Sequence, residues 1–269
     1  MPRRLAVVAG AGALSPELVA AAIEAGDAVR VLALSAADYP EGTDLVPADV
    51  GDPGAILAAV RAFGASHLAL AGGVSLSDAA RRRWMAALGG GGTGDVALSH
   101  AIAAIGRLTG AELVGAHQII PELLAPVGRI AGPAVSPEQL AAARMALNAA
   151  RRIGELDLGQ AVVASGARLV AAEDVAGTDA LLARMGSYRE LGLVGGDGAV
   201  LLLAKARKPG QPMFIDLPAI GPSTVSNCVA AGITVIAVEA GQSLLLDRHR
   251  LREAADAAAI SVLGIGADG

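Results

Sequence analysis

Aromatic residues are scarce in this chain: two Phe, two Tyr and one Trp in 269 residues. Aromatic platforms that stack single-stranded nucleic acid are excluded by that shortage. Cysteine occurs once, at Cys228, which rules out a disulfide framework and any cysteine-based zinc site. The four histidines, His67, His100, His117 and His249, form no His-X-His pair and no His-Glu-X-X-His run, so no recognisable metal set arises from them. Positive charge is not in excess either. The net charge is −5 and no Lys/Arg stripe occurs, which argues against a nucleic-acid partner. No apolar run approaches the ~18 residues that span a bilayer. The phosphate-binding Gly-X-X-X-X-Gly-Lys-Ser/Thr loop and the Gly-X-Ser-X-Gly nucleophile elbow are missing. Neither Tyr39 nor Tyr188 has a Lys four residues on, which removes the usual short-chain dehydrogenase pair.

What remains is an aliphatic chain, 54% hydrophobic, whose core must be built from Ala, Val, Leu and Ile. Its length suits two domains of ordinary size, and its apolar content excludes disorder. The opening Met-Pro-Arg-Arg before an apolar stretch has the look of a signal peptide. That stretch runs straight into Gly-rich turn chemistry and an amphipathic helix, so a first strand and a cytoplasmic location are expected.

In the first half, apolar runs at 5–9, 28–34 and 67–71 alternate with helical patterns at 16–25 and 53–63. That rhythm implies right-handed βαβ crossovers and a parallel, Rossmann-like sheet. Helical stretches at 77–88 and 95–108, split by glycines 89–94, precede a fourth strand at 112–115. Residues 125–137 carry three prolines and two glycines without a period and read as a linker or a long interdomain loop. After it come a helix at 137–153 and strands at 160–164, 168–172, 199–204, 234–238 and 260–263. Helices are expected at 178–191, 224–231 and 248–258. A hairpin at Ser165-Gly166 makes this second sheet mixed. The expectation is two α/β domains, 1–130 and 131–269, joined by a hinge with a ligand cleft between them.

The segment 205–241 concentrates polar residues, Lys205, Lys208, Gln211, Asp216, Gly221-Pro-Ser-Thr224 and Glu239, among short apolar runs. A core does not need that density at strand ends, whereas a site gripping a phosphorylated ligand does. Lys205 and Lys208 could neutralise a pyrophosphate; the alternative is a solvated basic turn. Asp216, expected at the end of a short strand at 213–215, could bind a metal or accept a proton from water; it could equally be a solvated acid. Gly221 to Thr224 opens a helix whose N–H groups and hydroxyls could hold phosphate, or simply cap the helix.

Other candidates lie upstream. Gly10-Ala11-Gly12-Ala13-Leu14-Ser15 follows the first strand as a phosphate-cradling turn should, with a structural tight turn as the alternative. Ser15 replaces the third Gly of a dinucleotide fingerprint, and Leu34-Ser35 ends the second strand without an acid for a ribose, so a nicotinamide cofactor is disfavoured. Gly72 ends the third strand at the same edge. His117 follows the fourth strand, as a ligand contact or a capping residue. Thr178 and Asp179 follow Glu173-Asp174 at a strand-to-helix loop. Thr178 reads as an N-cap, or the loop holds a divalent cation through Asp179 or Glu173.

Several stretches carry a family resemblance. They are Ala-Gly-Ala-Gly-Ala-Leu at 9–14, Val-Gly-Ala-His-Gln-Ile-Ile-Pro-Glu-Leu-Leu-Ala-Pro at 114–126, Leu-Gly-Gln-Ala-Val-Val-Ala-Ser-Gly at 158–166 and Gly-Thr-Asp-Ala-Leu-Leu at 177–182. Asp-Leu-Pro-Ala-Ile-Gly-Pro-Ser-Thr-Val at 216–225 and Ile-Ala-Val-Glu-Ala-Gly-Gln-Ser-Leu-Leu-Leu-Asp at 236–247 complete the set. Together they resemble the UDP-2,3-diacylglucosamine pyrophosphatases of the α-proteobacterial type. The resemblance implies a two-domain fold and Mg²⁺-dependent hydrolysis of a UDP-linked diacyl sugar to UMP and lipid X in lipid A biosynthesis. It maps the essential acid onto Asp216 and matches Lys205 and Lys208; from the reading of the residues, Asp216 and Asp179 are the metal-ligand candidates. A peripheral inner-membrane contact and a homodimer are compatible with it. Members commonly read Gln-Asp-X-Arg-X-Asp where this chain has Gln211-Pro212-Met213-Phe214-Ile215-Asp216, and Gly73 stands where a Lys is usual. Those departures motivate a second reading, a catalytically silent nucleotide- or lipid-binding relative.

Overall fold

The computed structural model describes residues 2–92, 94–103, 105–196, 198–215 and 217–266. Asp216, the expected catalytic acid and metal ligand, lies outside the described residues. The chain divides into two compact units, Met1–Pro121 with Gln211–Asp216, and Glu122–Gly210 with Leu217–Gly269. The sequence expectation was a single division after residue 130.

The first unit runs β1 (Arg4–Ala9), α1 (Leu14–Glu24), β2 (Ala28–Ala33), β3 (Asp44–Pro47), α2 (Pro53–Phe63) and β4 (His67–Ala71), followed by α3 (Asp78–Leu88), α4 (Asp95–Ile102), α5 (Ile105–Thr109), β5 (Glu112–Val114) and α6 (Ala116–Ile119). Its sheet has the order β3-β2-β1-β4-β5, and all four strand pairs are parallel. The chain leaves β1 toward one edge and returns through β4 toward the other. The carboxyl ends of β1 and β4 therefore form the switch point where ligands bind in open α/β sheets. Local chemistry explains the helix that the sequence marks most sharply. Asp52 accepts the Ala55 N–H at 2.9 Å, Pro53 occupies the first turn, and Gly64 closes the C-terminus with φ +66. Strand β3 was not expected; it is an edge strand, mostly exposed, with no apolar alternation to announce it. The stretch expected as one helix over 95–108 is two, α4 and α5.

The second unit runs β6 (Gly128–Ala131), α7 (Pro137–Glu155), β7 (Ala161–Ser165), β8 (Arg168–Ala172), α8 (Gly177–Glu190) and β9 (Leu201–Lys205), then β10 (Ala219–Ile220), α9 (Pro222–Ala231), β11 (Val235–Glu239), β12 (Leu244–Leu245), α10 (Arg248–Ala257) and β13 (Ser261–Ile265). Its six-stranded sheet has the order β6-β13-β11-β9-β7-β8. Strands β9, β11 and β13 are parallel to one another, while β6, β7 and β8 run antiparallel to their neighbours. The mixed sheet and the 165–166 hairpin match the sequence reading. The linker expected at 125–137 does not exist as such: Gly128–Ala131 is β6, paired with β13. Its partner lies about 130 residues away in sequence, so no local pattern reveals it.

Period-two alternation buries both faces of this sheet. Leu201, Leu203, Ile236 and Val238 pack with residues of α8, α9 and α10, including Leu181, Met185, Cys228 and Leu251. Leu202, Ala204, Val235 and Ala237 pack with Ala142, Ala143, Ala146 and Ala150 of α7. Helix α7 starts with a reciprocal cap, Ser136 Oγ accepting the Gln139 N–H and Gln139 Oε1 accepting the Ser136 N–H. Among the described residues no helix is long and apolar enough to cross a membrane.

Candidate functional site

In the first unit the glycine turns after β1 and β4 are joined backbone to backbone. Gly10 N–H donates to Ala71 O at 2.8 Å, and Ala11 and Gly73 exchange N–H···O bonds of 2.8 and 2.7 Å. A Cβ on Gly10 would overlap the Gly73 carbonyl, and one on Gly72 (φ +91) would lie 2.7 Å from the carbonyl oxygens of both Gly10 and Ala11. Gly10 and Gly72 thus serve the loop-to-loop closure directly. The N–H groups left for a ligand are those of Gly12, Ala13 and Leu14, which have no partner among the described residues and open α1. Ser15, fully buried, donates its hydroxyl to Gly10 O at 3.3 Å and so fastens the turn from within.

His117 sits in α6, immediately after β5. Its ring folds over Gly115: a Cβ there would lie 2.6 Å from His117 Cε1 and 2.9 Å from Phe214 Cα. Among the described residues the buried Nδ1 has no hydrogen-bond partner, and burial lowers the His117 pKa, which favours the neutral imidazole. Gln211, three residues before Phe214, is buried, and its Nε2 donates to the buried Ser99 Oγ at 3.0 Å. Gln211 and Phe214 therefore pin segment 211–215 to the first unit. The strand expected at 213–215 is instead a turn, in which Ile215 N–H donates to Pro212 O at 3.1 Å.

In the second unit the two lysines go different ways. Lys205, buried at the end of β9, donates from Nζ to Ala219 O at 3.0 Å, on the α9 side of the sheet. Its charge opposes, without outweighing, the burial that pushes the Cys228 thiol up to about 12. Ala219 lies two residues before Gly221, which precedes α9 and whose N–H is accepted by Thr224 Oγ1 at 3.2 Å. Lys205, Gly221 and Thr224 are thus brought together. Lys208, equally buried, pairs with Asp157 at 3.0 Å beyond the end of α7. The sequence reading assigned both ammonium groups to one pyrophosphate; among the described residues Lys205 contacts Ala219 O and Lys208 contacts Asp157.

The acidic loop after β8 is internally bonded. Glu173 accepts the Gln160 N–H at 2.8 Å and the Thr178 hydroxyl at 2.9 Å. Asp174 accepts the Ala176 N–H and pairs with Arg184 at 2.6 Å. Thr178 is not the N-cap; Ala176 is, without a side-chain bond, because the helix begins one residue earlier than its Thr signal. Asp179 is exposed, with Oδ1 accepting from Asn227 Nδ2 at 2.9 Å. No group of three or more His, Cys, Asp or Glu that could hold a metal occurs among the described residues.

Residues that the sequence reading did not single out surround Glu239. This carboxylate, 5% exposed at the end of β11, accepts from Arg151 Nε at 2.9 Å and pairs with Arg151 Nη2 at 2.9 Å. It also accepts the Arg207 backbone N–H at 3.1 Å, while Arg207 Nε donates to Gln242 Oε1 at 2.7 Å. Arg207 was legible as the third cation of the 205–208 run; Arg151, on a helix more than fifty residues upstream, had no sequence signal.

Comparison with known proteins covers both units. The family model described as the LpxI N-terminal domain matches residues 4–123, and the LpxI C-terminal domain model matches residues 126–263. A protein of Caulobacter vibrioides named UDP-2,3-diacylglucosamine pyrophosphatase LpxI is 35% identical over 273 residues, covering 98% of each chain. With both domain models matched in order and a relative aligned almost end to end, the chain belongs to the LpxI family.

Proposed function

We propose that this protein hydrolyses the diphosphate of UDP-2,3-diacylglucosamine, releasing UMP and 2,3-diacylglucosamine 1-phosphate (lipid X) in lipid A biosynthesis. The carrying observation is the alignment over 98% of both chains to a relative named for that substrate. In the reaction water adds its oxygen to one phosphorus, the bond to the bridging oxygen breaks, and that oxygen leaves on the other phosphate. No covalent nucleophile is required. Cys228 is unsuited to be one, since burial holds its thiol protonated.

Asp216 is the proposed acid that orients or deprotonates the water. Lys205, beside the start of α9, is the proposed partner of a diphosphate oxygen, with a charge-assisted bond strengthened by its buried setting. Mg²⁺ belongs to the reading and would neutralise charge developing on the phosphate oxygens. An ion that keeps most of its waters needs only one or two carboxylates, and Asp179, exposed and held by Asn227, has that character.

The test is incubation with UDP-2,3-diacylglucosamine and MgCl2, with UMP and the sugar 1-phosphate measured. Release that is lost with EDTA and reduced by roughly 10²–10⁴ in Asp216→Ala is expected. Tight binding of substrate with no UMP would sink the hydrolase reading and favour a silent relative, which the Pro212-Met213-Phe214 departure motivates.

A further inference from the structure

Two loops of the second unit meet at the sheet edge where β9 ends. Strand β7 begins there, with Ala161 opposite Lys205, and β8 ends there, with the Glu173 N–H donating to Ala161 O at 2.8 Å. The loop that enters β7 carries Leu156, 78% exposed, and Leu158, 52% exposed; the loop that leaves β8 carries Val175, 100% exposed. Apolar residues scattered singly over a surface are ordinary, but these three stand on loops fastened to each other. Glu173 fastens them. Its carboxylate accepts the Gln160 N–H at 2.8 Å, and a Cβ on Gly159 would lie 2.7 Å from its carbonyl oxygen.

Both loops are braced. Asp157, between the two leucines, has φ +56, a conformation unfavourable for a residue with a side chain. The buried Lys208 contacts it at 3.0 Å, and Gly154 packs so closely on Lys208 that a Cβ would lie 3.1 Å from the Lys208 Cα. Val175 occupies the tip of a tight turn closed by the Gly177 N–H on Asp174 O at 2.9 Å. The carboxylates within the loops are matched inside the protein: Asp157 by Lys208, Asp174 by Arg184, and Glu173 by the Gln160 N–H and the Thr178 hydroxyl. What projects is therefore aliphatic and uncharged. Three convex tips do not make the broad complementary surface, about 1,000 Å² or more, of a stable protein interface. They suit a fluid hydrocarbon, which conforms to whatever enters it.

We propose that Leu156, Leu158 and Val175 dip into the surface of a lipid bilayer and hold this sheet edge against it. The proposal rests on the reading that the substrate is a diacylated sugar nucleotide. Two acyl chains keep such a molecule in the membrane, and Lys205, the proposed diphosphate partner, ends β9 at the same edge as the patch.

The test is sedimentation of full-length protein with phosphatidylcholine vesicles that contain no substrate. Wild type is compared with Val175→Ser, with the triple variant Leu156→Ser, Leu158→Ser, Val175→Ser, and with the control Leu191→Ser, Leu193→Ser. The control leucines are also exposed, but they follow α8, whose 14 residues carry the chain about 20 Å from the Val175 turn. A thermal melt of each protein accompanies the series, and kcat/KM is measured with UDP-2,3-diacylglucosamine in vesicles and in detergent micelles. The triple variant is expected to bind vesicles about tenfold more weakly or worse, Val175→Ser to show part of that loss, and the control to bind as wild type. Because the patch is uncharged, NaCl at about 0.5 M or added phosphatidylglycerol should change binding by less than about twofold. Activity of the triple variant should fall in vesicles and persist in micelles, with melting temperatures close to wild type. Wild-type protein that fails to sediment with vesicles overturns the proposal, as does undiminished binding by the triple variant or binding that requires anionic lipid. An equal loss in the control overturns the assignment to these loops. Absence of UMP release with the vesicle pattern intact overturns the hydrolase reading and leaves the membrane patch standing.

Discussion

In the first unit, the groups gathered at the carboxyl edge of the sheet are mainly backbone. Gly10, Ala11, Gly72 and Gly73 close two turns on each other, leaving the N–H groups of Gly12, Ala13 and Leu14 at the head of α1. In the second unit they are charged side chains. Lys205, Lys208 and Glu239 are each about 5–6% exposed and held by named partners. The contrast shows two ways of presenting polarity at a strand end. Backbone presentation requires the chain to approach itself closely, so it depends on the lack of side chains. Side-chain presentation requires buried charges, so it depends on partners that offset their desolvation.

The comparison can be broken at either end. If close approach is the first unit's requirement, Gly72→Val should be the most damaging change. It forces a β-branched residue to φ +91 and pushes atoms into the Gly10 and Ala11 carbonyls, costing about 3 kcal/mol. A chemical denaturation midpoint unchanged from wild type would show that the turns separate freely. If charge matching is the second unit's requirement, Glu239→Gln should cost about 2 kcal/mol by leaving Arg151 without its carboxylate. The same denaturation series checks this, and Arg151→Met combined with Glu239→Gln should recover part of the loss.

The smallest expected effect is a pH dependence in the first unit. The His117 pKa is lowered from 6.5 by burial, so the unfolded chain takes up the proton more readily than the folded one. This contribution is neutral well above pH 6.5. Stability then falls as pH drops below 6.5, until the folded-state pKa is passed. Melting temperatures of wild type and His117→Gln across pH 5–8 should diverge on the acid side. Parallel curves would mean that the ring exchanges freely with solvent.

Much of the fold was legible because its signals are local. Asp52-Pro53 and Gly64 bracket α2 within its own sequence, and the runs at β1, β4 and β8 announce strands whatever they pair with. Strand β6 was not legible, because its partner β13 comes about 130 residues later and its Gly and Pro neighbours suggest a linker. Strand β3 was hidden by its exposure. In the candidate site, Lys205, Gly221, Thr224 and Glu239 were identifiable by type and density. The Arg151 and Gln242 contacts were not, since they join α7 to the ends of β9 and β11.

By itself, the sequence determined the class of fold, the two α/β units, and which residue types collect at strand ends. Those follow from hydrophobic period, turn chemistry and the motifs shared with the LpxI family. Only the tertiary structure decided which groups act together. Lys205 and Lys208 are three residues apart, yet Lys205 contacts Ala219 O, just before α9, while Lys208 pairs with Asp157, just after α7. Segment 211–215, continuous in sequence with β9, is pinned to the first unit by Gln211 on Ser99 and by Phe214 against Gly115. Spacing along a chain sets where a side chain starts. The burial of its neighbours and the partners available to its charge set where it ends.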